Sequence, residues 1–290
     1  MLKKRLIACF LIKNDLIVQS IRFNKYLPIG NPKFPLQFLN KWDVDEIILL
    51  DISAHKEKRK LNLKILENLS KSCFVPLTVG GGITSVEDVR QFIRNGADKV
   101  SINSSAISDP KLITKIADIF GSQCVVVSID CKLDKDGIYR VYKDSGKIST
   151  NLIASEWAKE IENLGAGEIF LNSIDRDGSK IGYDVKLIKK VTNAVSIPVI
   201  ACGGVGNFSH FAPGILDGKA SAVAAGNIFH YIEHSTIIAK MNLLQSDIDI
   251  RMDSEATYKG RQFDKTGRLM MMSKEDLSKI EFTKGKQDLI

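Results

Sequence analysis

Two glycine-rich stretches constrain the fold of this 290-residue chain more than any other feature of its sequence. Val79–Ser85 (VGGGITS) and Ala201–Asn207 (ACGGVGN) each follow a strand-like apolar run and precede a helix-like segment. Glycine at the end of a strand lets backbone N–H groups approach an anion closely, and a following helix N terminus adds a favourable dipole. Two such turns predict a ligand held by two phosphate groups. The alternative is that both are simply tight connections between a strand and a helix.

Short apolar runs alternate with helix-like segments along the first 245 residues, and such runs indicate buried strands. The eight predicted strands are 6–12, 46–52, 75–79, 99–103, 124–130, 168–172, 198–201 and 220–225. Strands separated by helices run parallel, and eight βα units are the number that closes a (β/α)8 barrel. The sequence therefore predicts an α/β chain with a TIM barrel over residues 1–245. A tail over 246–290 follows, with a short helix predicted over Ser273–Ile280.

Shorter elements are predicted between the strands. Helices are predicted over 34–42 and 56–71, and the helix after the first glycine turn should start at Ser85, with Asp88 three residues on as in a capping box. The polar stretch after the first strand is predicted to be a long loop, and turn residues predict a hairpin over 132–149.

The two halves of the predicted barrel echo each other. Four pairs of positions recur at separations of 119 to 124 residues: position 11 with Asp130, Asp51 with Asp175, Gly81 with Gly203, and Ser101 with Ala224. A near-constant offset predicts two half-barrels of four βα units each. The two glycine turns would then be one structural feature that occurs twice.

The positive charge of the chain does not by itself indicate a nucleic-acid partner. The formal net charge is +7, but the basic residues are scattered, with no arginine-rich run and no interleaved aromatic residues. A phosphorylated small substrate or an acidic partner surface explains the excess equally well. No apolar run approaches 18 residues, so we expect no membrane span.

The spacing of cysteine and histidine argues against a metal or cofactor site. Five cysteines lie mostly inside apolar runs without a CxxC pair, a pattern typical of reduced core cysteines in a cytoplasmic protein. The four histidines have no metal-ligand spacing with those cysteines. The first glycine turn also lacks the GxGxxG register of a dinucleotide fold. We therefore expect a cytoplasmic chain with neither a metal nor an organic cofactor.

Several motifs spread through the first 245 residues resemble one known family. They are Leu6–Cys9 (LIAC), Leu49–Ile52 (LLDI), Pro76–Ile83 (PLTVGGGI), Gly96–Asn103 (GADKVSIN), Gly121–Val127 (GSQCVVV), Gly165–Glu168 (GAGE), Asp175–Gly178 (DRDG) and Ser196–Ile200 (SIPVI). Together they resemble the cyclase subunit of imidazole glycerol phosphate synthase. The resemblance implies a histidine-pathway barrel that receives ammonia from a glutaminase subunit at the barrel bottom. That ammonia would pass through the barrel interior to a bis-phosphorylated ribonucleotide.

The resemblance also implies roles for individual residues. One phosphate site would comprise Gly82, Asn103 and Ser104, and the other Asp177, Gly178, Gly204, Gly226 and Asn227. The charged residues that admit ammonia at the bottom of the barrel would be Arg5, Glu46, Lys99 and Glu168. Charges near the amino ends of strands can equally well form a stabilising salt-bridge cluster. Asp51, at the carboxyl end of the second strand, is either a site residue or the anchor of a loop.

The chain departs from the family at the catalytic centre. The family uses two aspartates as general acid and base, and Asp130 matches one of them, whereas Leu11 occupies the other position. A leucine cannot transfer a proton, and general acid–base catalysis is worth on the order of 10²–10⁴ in rate. Gln19 stands where the family has a lysine, and Gly226 where it has a serine. The losses therefore affect the chemistry, while the predicted ammonia entrance persists.

Three functions remain open at this point. The pattern favours an ammonia-channelling paralogue that works with a glutaminase and a sugar amidotransferase in acetamidino-sugar (lipopolysaccharide) biosynthesis. The first alternative is an authentic cyclase of histidine biosynthesis, in which another group replaces the missing aspartate. The second alternative is a non-catalytic scaffold that binds phosphate through the two glycine turns.

Overall fold

The computed structural model describes residues 3–32, 43–230, 234–253, 258, 260–270 and 273. Its strands are β1 Arg5–Lys13, β2 Leu16–Ile21, β3 Lys25–Gly30, β4 Glu46–Asp51, β5 Leu77–Gly80, β6 Lys99–Ile102, β7 Val125–Leu133, β8 Tyr139–Lys143, β9 Ile148–Ile153, β10 Glu168–Ser173, β11 Val199–Cys202 and β12 Ala222–Ala225. Eight of them pair in parallel in the order β1, β4, β5, β6, β7, β10, β11, β12, and β12 pairs with β1. The predicted (β/α)8 barrel is confirmed.

Helices follow most of the barrel strands and cover the outside of the barrel. They are α1 Leu63–Ser70, α2 Val86–Arg94, α3 Ser104–Ser108, α4 Lys111–Phe120, α5 Ala154–Asn163, α6 Val185–Thr192, α7 Phe211–Leu216 and α8 Ser235–Gln245, with 3-10 turns at Ser122–Cys124, Phe208–His210 and Asn227–His230. None of the described helices is long and apolar enough to cross a membrane.

The helix after the first glycine turn illustrates how local sequence sets an element's start. The Ser85 side chain accepts a hydrogen bond from the Asp88 backbone N–H, and the Asp88 carboxylate accepts one from the Ser85 N–H. This reciprocal capping box satisfies two N–H groups that the first turn of a helix leaves unpaired. Val89 and Phe92 then lie on the buried face of α2. The sequence-based prediction of this helix start is confirmed.

Alternation along the strands divides the apolar residues into two cores. In β4, Ile47 and Leu49 face the helices, whereas Ile48 faces the barrel axis. The axial core is small and is built from Ile7, Cys9, Ile48, Val126, Phe170, Ile200, Ala222 and Ala224. The larger core lies between the strands and the helices. The barrel axis is therefore filled with side chains, and the chemically useful groups lie at its two ends.

The strand register supports the predicted twofold repeat and corrects one pair in it. Leu11 pairs with Leu50, and Asp130 pairs with Asn172, which lies 122 residues after Leu50. Leu11 and Asp130 therefore occupy equivalent positions in the two half-barrels. Asp51 in β4 pairs with Ile12 in β1. At the equivalent place in the second half-barrel, Ser173 in β10 pairs with Cys131 in β7. The counterpart of Asp51 is thus Ser173 rather than Asp175, because the register and not the aspartate spacing defines the repeat.

Other sequence-based predictions differ from the structure in detail. The polar stretch after β1, predicted to be a loop, forms the hairpin β2–β3, which pairs with β1. The helix predicted over residues 56–71 begins only at Leu63, where Asn62 caps it. The hairpin predicted over residues 132–149 is confirmed as β7–β8–β9. The helices predicted over 34–42 and 273–280 lie almost entirely outside the described residues.

A buried lysine ties the last helix to the barrel. The Lys240 ammonium in α8 is fully buried and lies 2.7 Å from the Asp45 carboxylate and 3.3 Å from that of Asp43. The second carboxylate oxygen of Asp45 accepts a hydrogen bond from the Leu6 N–H. Burial raises the pKa of Asp45, so this carboxylate depends on its cationic partner to remain charged.

Replacing Lys240 by methionine should destabilise the protein by about 3–5 kcal/mol, because two buried carboxylates lose their counter-ion. The control is Lys71→Met, which removes an exposed ion pair with Glu67 and should cost less than about 0.5 kcal/mol. Urea unfolding of both variants measures the difference. Equal midpoints would contradict the role assigned to Lys240.

Candidate functional site

A cavity of about 900 Å³ opens at the carboxyl ends of the barrel strands. Enzymes of this fold carry their active sites at this end of the barrel. The predicted site residues that line it are Leu11, Asp51, Gly82, Asn103, Ser104 and Asp130. The structure thus brings together the first predicted phosphate site and both positions of the predicted acid/base pair.

Asp130 is the titratable group at the centre of this cavity. It lies near the end of the apolar half of β7. Asn103 Nδ2 donates a 2.7 Å hydrogen bond to the Asp130 carboxylate, and the Ser128 side chain forms a further hydrogen bond with it. Burial, together with the nearby carboxylate of Asp177, raises the pKa of Asp130 to about 7. A carboxyl group with this pKa can both donate and accept a proton near neutral pH.

Leu11 faces the same cavity from β1. Its side chain packs with Leu50 and Cys202 on the axial core. At the equivalent point of the other half-barrel, the chain has Asp130 and Asn172 instead of Leu11 and Leu50. One half of the cavity floor is therefore polar and the other apolar.

Asp51 holds a loop and also lines the cavity. Its carboxylate accepts hydrogen bonds from the backbone N–H groups of Ser53 and Ala54 and lies 2.5 Å from an Arg59 guanidinium nitrogen. This places the Arg59 carbonyl against the first glycine turn, where a Cβ on Gly82 would lie 2.0 Å from the carbonyl oxygen. The loop-anchoring interpretation of Asp51 is therefore supported. Sequence reasoning missed Arg59, because the surrounding segment was predicted to be helical.

The first glycine turn adopts a backbone that only glycine accommodates easily. Gly81 and Gly82 have φ values of +128° and +72°. Beside them, the Ser104 hydroxyl accepts a hydrogen bond from the Asp144 N–H, which ties the β8–β9 hairpin to the rim. The side-chain amide oxygen of Asn103 (Oδ1) is buried without a hydrogen-bond partner among the described residues. An unsatisfied polar atom beside an open glycine turn favours a polar ligand at this point.

The second predicted phosphate site lies around a separate, smaller cavity. Its lining includes Asp177, Gly178, Gly204, Gly226 and Asn227, all five residues predicted for that site. Gly203 and Gly204 again have positive φ values, +94° and +110°. The five residues thus line one cavity, and the glycines provide the open backbone that an anion needs.

The side chain of Asp177 is engaged away from any anion. Its carboxylate accepts hydrogen bonds from the Ser20 hydroxyl at 2.5 Å and the Phe23 N–H at 3.1 Å. Burial raises its pKa. Asn227 reinforces the same link, since its side-chain amide donates to the Ser20 carbonyl. These two residues connect the β2–β3 hairpin to the loops that follow β10 and β12.

The four predicted entrance residues form a charged ring at the opposite, amino-terminal end of the barrel. Arg5 contacts Glu46 at 2.8 Å and also pairs with Glu168, and Lys99 lies 3.1 Å from each of the two glutamates. Both glutamates are buried, and Thr78 donates a further hydrogen bond to Glu46. Two cations and two anions alternate, so the ring is formally neutral. It lies where the amino ends of β1, β4, β6 and β10 meet.

No cluster of three or more histidine, cysteine, aspartate or glutamate side chains within the described residues is arranged to hold a metal ion. The lining of the larger cavity supplies the Asp130 carboxyl group, the Asn103 amide, the first glycine turn and further titratable side chains such as Lys13, His55 and Lys60.

Comparison with known proteins agrees with this geometry. The family described as "Histidine biosynthesis protein" matches residues 5–235, which include every barrel strand. The chain is 47% identical over 270 residues to the "Putative imidazole glycerol phosphate synthase subunit hisF2" of Vibrio vulnificus (strain YJ016), covering 92% of this chain and 98% of that protein.

A second relative is the "Imidazole glycerol phosphate synthase subunit HisF" of Alkaliphilus metalliredigens (strain QYMF). It is 45% identical over 251 residues, which cover 87% of this chain and all of that relative. Part of this chain therefore has no counterpart in that protein. The barrel, the two glycine turns and these similarities lead to one conclusion: the chain belongs to the histidine biosynthesis protein family, as a member of its HisF-like cyclase-subunit group.

Proposed function

We propose that this chain is the ammonia-conducting barrel subunit of a glutamine-dependent amidotransferase and that it does not itself catalyse efficient cyclisation. One observation carries the proposal. The charged ring is complete at one end of the barrel, whereas at the other end Leu11 occupies the position equivalent to Asp130. The entrance is retained, and the acid/base pair is not.

The barrel interior suits a neutral molecule. From Arg5 to Leu11, β1 rises about 20 Å, at roughly 3.3 Å per residue. Between these residues the axis is lined by the axial core, which offers aliphatic and aromatic surface. Transfer of an ion through such surface is far more costly than transfer of a neutral molecule. We therefore propose that ammonia crosses this packed axis as NH3 after it has passed the charged ring at the entrance.

The source of the ammonia would be a glutaminase subunit docked at the charged ring. The acceptor would be a sugar bound by a separate amidotransferase, which converts an acetamido group to an acetamidino group for a bacterial surface polysaccharide. The absence of a carboxylate at position 11 supports an acceptor outside the barrel. The part of the chain that the HisF relative lacks is also consistent with a specialised member of the group.

The cavity would retain a phosphorylated ligand. Both glycine turns keep their open backbone, and the buried Asn103 oxygen has no partner among the described residues. In this role the ligand would hold the hairpins closed over the barrel. A non-catalytic phosphate-binding scaffold would use the same turns but would conduct no ammonia.

A second candidate function, a working cyclase, is favoured by one specific observation. Asp130 is buried in the cavity with a pKa of about 7, which suits a general acid or base. On this reading Asp130 would act alone on the bis-phosphorylated ribonucleotide. The missing partner should still cost on the order of 10²–10⁴ in rate.

Restoring the carboxylate at position 11 tests the proposal directly. With ammonium salts and the bis-phosphorylated ribonucleotide, the natural chain should show little cyclisation, and Leu11→Asp should raise the rate by on the order of 10²–10⁴. Leu50→Asp is the matched control, because Leu50 lies beside Leu11 in register and lines the same cavity. Product formation by absorbance measures the rates. Efficient cyclisation by the natural chain would refute the proposal.

Channelling can be tested with an enzyme that consumes free ammonia. With glutamine, the glutaminase and the sugar amidotransferase present, formation of the acetamidino sugar should persist when the scavenger is added. Lys99→Met breaks two contacts of the charged ring, so its product yield should become sensitive to the scavenger. Lys71→Met, on the exposed surface, should behave like the natural chain. Complete loss of product from the natural chain would show that ammonia travels through solvent.

The raised pKa of Asp130 predicts a pH-dependent stability. Its folded pKa of about 7 lies above the unfolded value, so the folded state binds the extra proton, and stability falls as pH rises from about 4 through 7. Asp130→Asn should therefore be more stable than the natural chain at pH 8, by up to about 4 kcal/mol, and should lose this advantage near pH 4. Urea unfolding at several pH values measures this.

The control for that series is Asp136→Asn. Asp136 is exposed, and its hydrogen bond with Arg140 lowers its pKa, so this variant should gain no stability at pH 8. If the free energy of unfolding changed with pH in the same way for Asp130→Asn and the natural chain, folding would not raise the pKa of Asp130.

A further inference from the structure

The C-terminal segment contacts the chain immediately after the second glycine turn. The carbonyl oxygen of Thr266 accepts hydrogen bonds from the backbone N–H groups of Phe208, at 3.1 Å, and Ser209, at 3.3 Å. These N–H groups belong to the first residues of the 3-10 turn Phe208–His210. The first N–H groups of a helical turn have no partner within the turn itself. Thr266, 58 residues away, supplies the acceptor.

Gly267 lets the two backbones approach this closely. It is buried and has a φ of +75°, and a Cβ at this position would lie 2.8 Å from Phe208 Cβ and 2.9 Å from the Ser209 nitrogen. The side-chain nitrogen of Asn242, in α8, would also be 2.9 Å away. Any larger residue would push Thr266 away from the 3-10 turn.

Asp264 shapes the segment that presents Thr266. One oxygen of its carboxylate accepts hydrogen bonds from the Thr266 N–H at 2.8 Å, the Thr266 hydroxyl at 2.6 Å and the Arg268 N–H at 3.0 Å. Phe263 and Leu269 form a β-bridge at the base of this turn. The turn 264–268 thus has an internal framework of its own, and we call it the clamp.

A second set of contacts links the 3-10 turn back to the glycines. His210 Nδ1 accepts a hydrogen bond from the Gly206 N–H at 3.2 Å, and its other ring nitrogen lies 3.0 Å from the side-chain amide of Asn207. Ser209 donates to the Asn207 side chain at 2.6 Å. Partial burial lowers the pKa of His210, so its ring is mainly neutral at pH 7 and can accept this bond. The clamp therefore supports the second glycine turn through His210.

We propose that the clamp positions the second glycine turn and thereby sets its affinity for a phosphate group. Thr266 and Gly267 are positioning residues, since neither lines the cavity around the glycines. The proposal rests on the phosphate role proposed above for that turn. It assigns a task to a segment beyond the last barrel helix, outside the residues that the family match covers.

Two glycines of the same segment provide a matched pair of variants. Gly260 and Gly267 have nearly the same φ, +79° and +75°, so alanine is equally strained at both. A Cβ on Gly260, however, would meet no described residue within 4 Å. In the full-length chain, Gly267→Ala should speed hydrogen exchange of the Phe208 and Ser209 amides by about tenfold. It should also weaken binding of inorganic phosphate, followed by NMR shifts of the Gly203–Asn207 amides, by about three- to tenfold. Gly260→Ala should change neither.

Asp264→Ala provides a second route to the same test. Its side chain is exposed, so its loss should release the clamp without disturbing the barrel. Faster exchange with unchanged phosphate affinity in both variants would overturn the link between clamp and ligand. Unchanged exchange would overturn the clamp itself. If the natural chain binds no phosphate at Gly203–Asn207, the phosphate role fails, and this proposal fails with it.

Discussion

Closure of eight parallel strands into one ring decides which side chains of this protein can meet. Every second residue of each strand points to a common axis, and the strand ends gather at two opposite mouths. β1 therefore carries Arg5 at one mouth and Leu11 at the other, and β10 carries Glu168 and Asn172 in the same way. A single substitution at a strand end changes one mouth without affecting the other. This separation allows the charged ring to persist while the side chains at the far end change.

Buried charges are compensated in different ways at the two ends of the barrel. In the charged ring, two cations and two glutamates compensate one another through short contacts, which offsets the cost of removing them from water. Asp130 has an amide and a hydroxyl as partners but no cation, and another carboxylate lies nearby, so its pKa rises to about 7. The end with the charged ring is thus held by ion pairs, whereas the open end holds a carboxyl group poised between two protonation states. The ion pairs of the charged ring favour rigidity, whereas the carboxyl group of Asp130 favours proton transfer or ligand binding.

Loops after the strands are coupled across the open mouth by side chains far apart in sequence. Asp177 and Asn227 connect the β2–β3 hairpin to the loops after β10 and β12, and Asp51 with Arg59 fixes a loop against the first glycine turn. The clamp adds a contact from beyond the last barrel helix. Each glycine turn is therefore held from outside as well as by its own backbone. This arrangement explains why residues expected to touch a ligand also have structural partners.

The sequence alone determined the barrel and the capping box at Ser85, because strand periodicity, turn glycines and chain order are local or repetitive signals. The grouping of the charged ring followed from the resemblance to the cyclase-subunit family. The sequence also identified Leu11 as the counterpart of Asp130. Only the tertiary structure revealed the β2–β3 hairpin, the Arg59 anchor and the commitment of Asp177 to Ser20, since each depends on contacts between distant segments. The pKa of Asp130 likewise follows from burial and from Asp177, 47 residues away, and no local pattern records either cause.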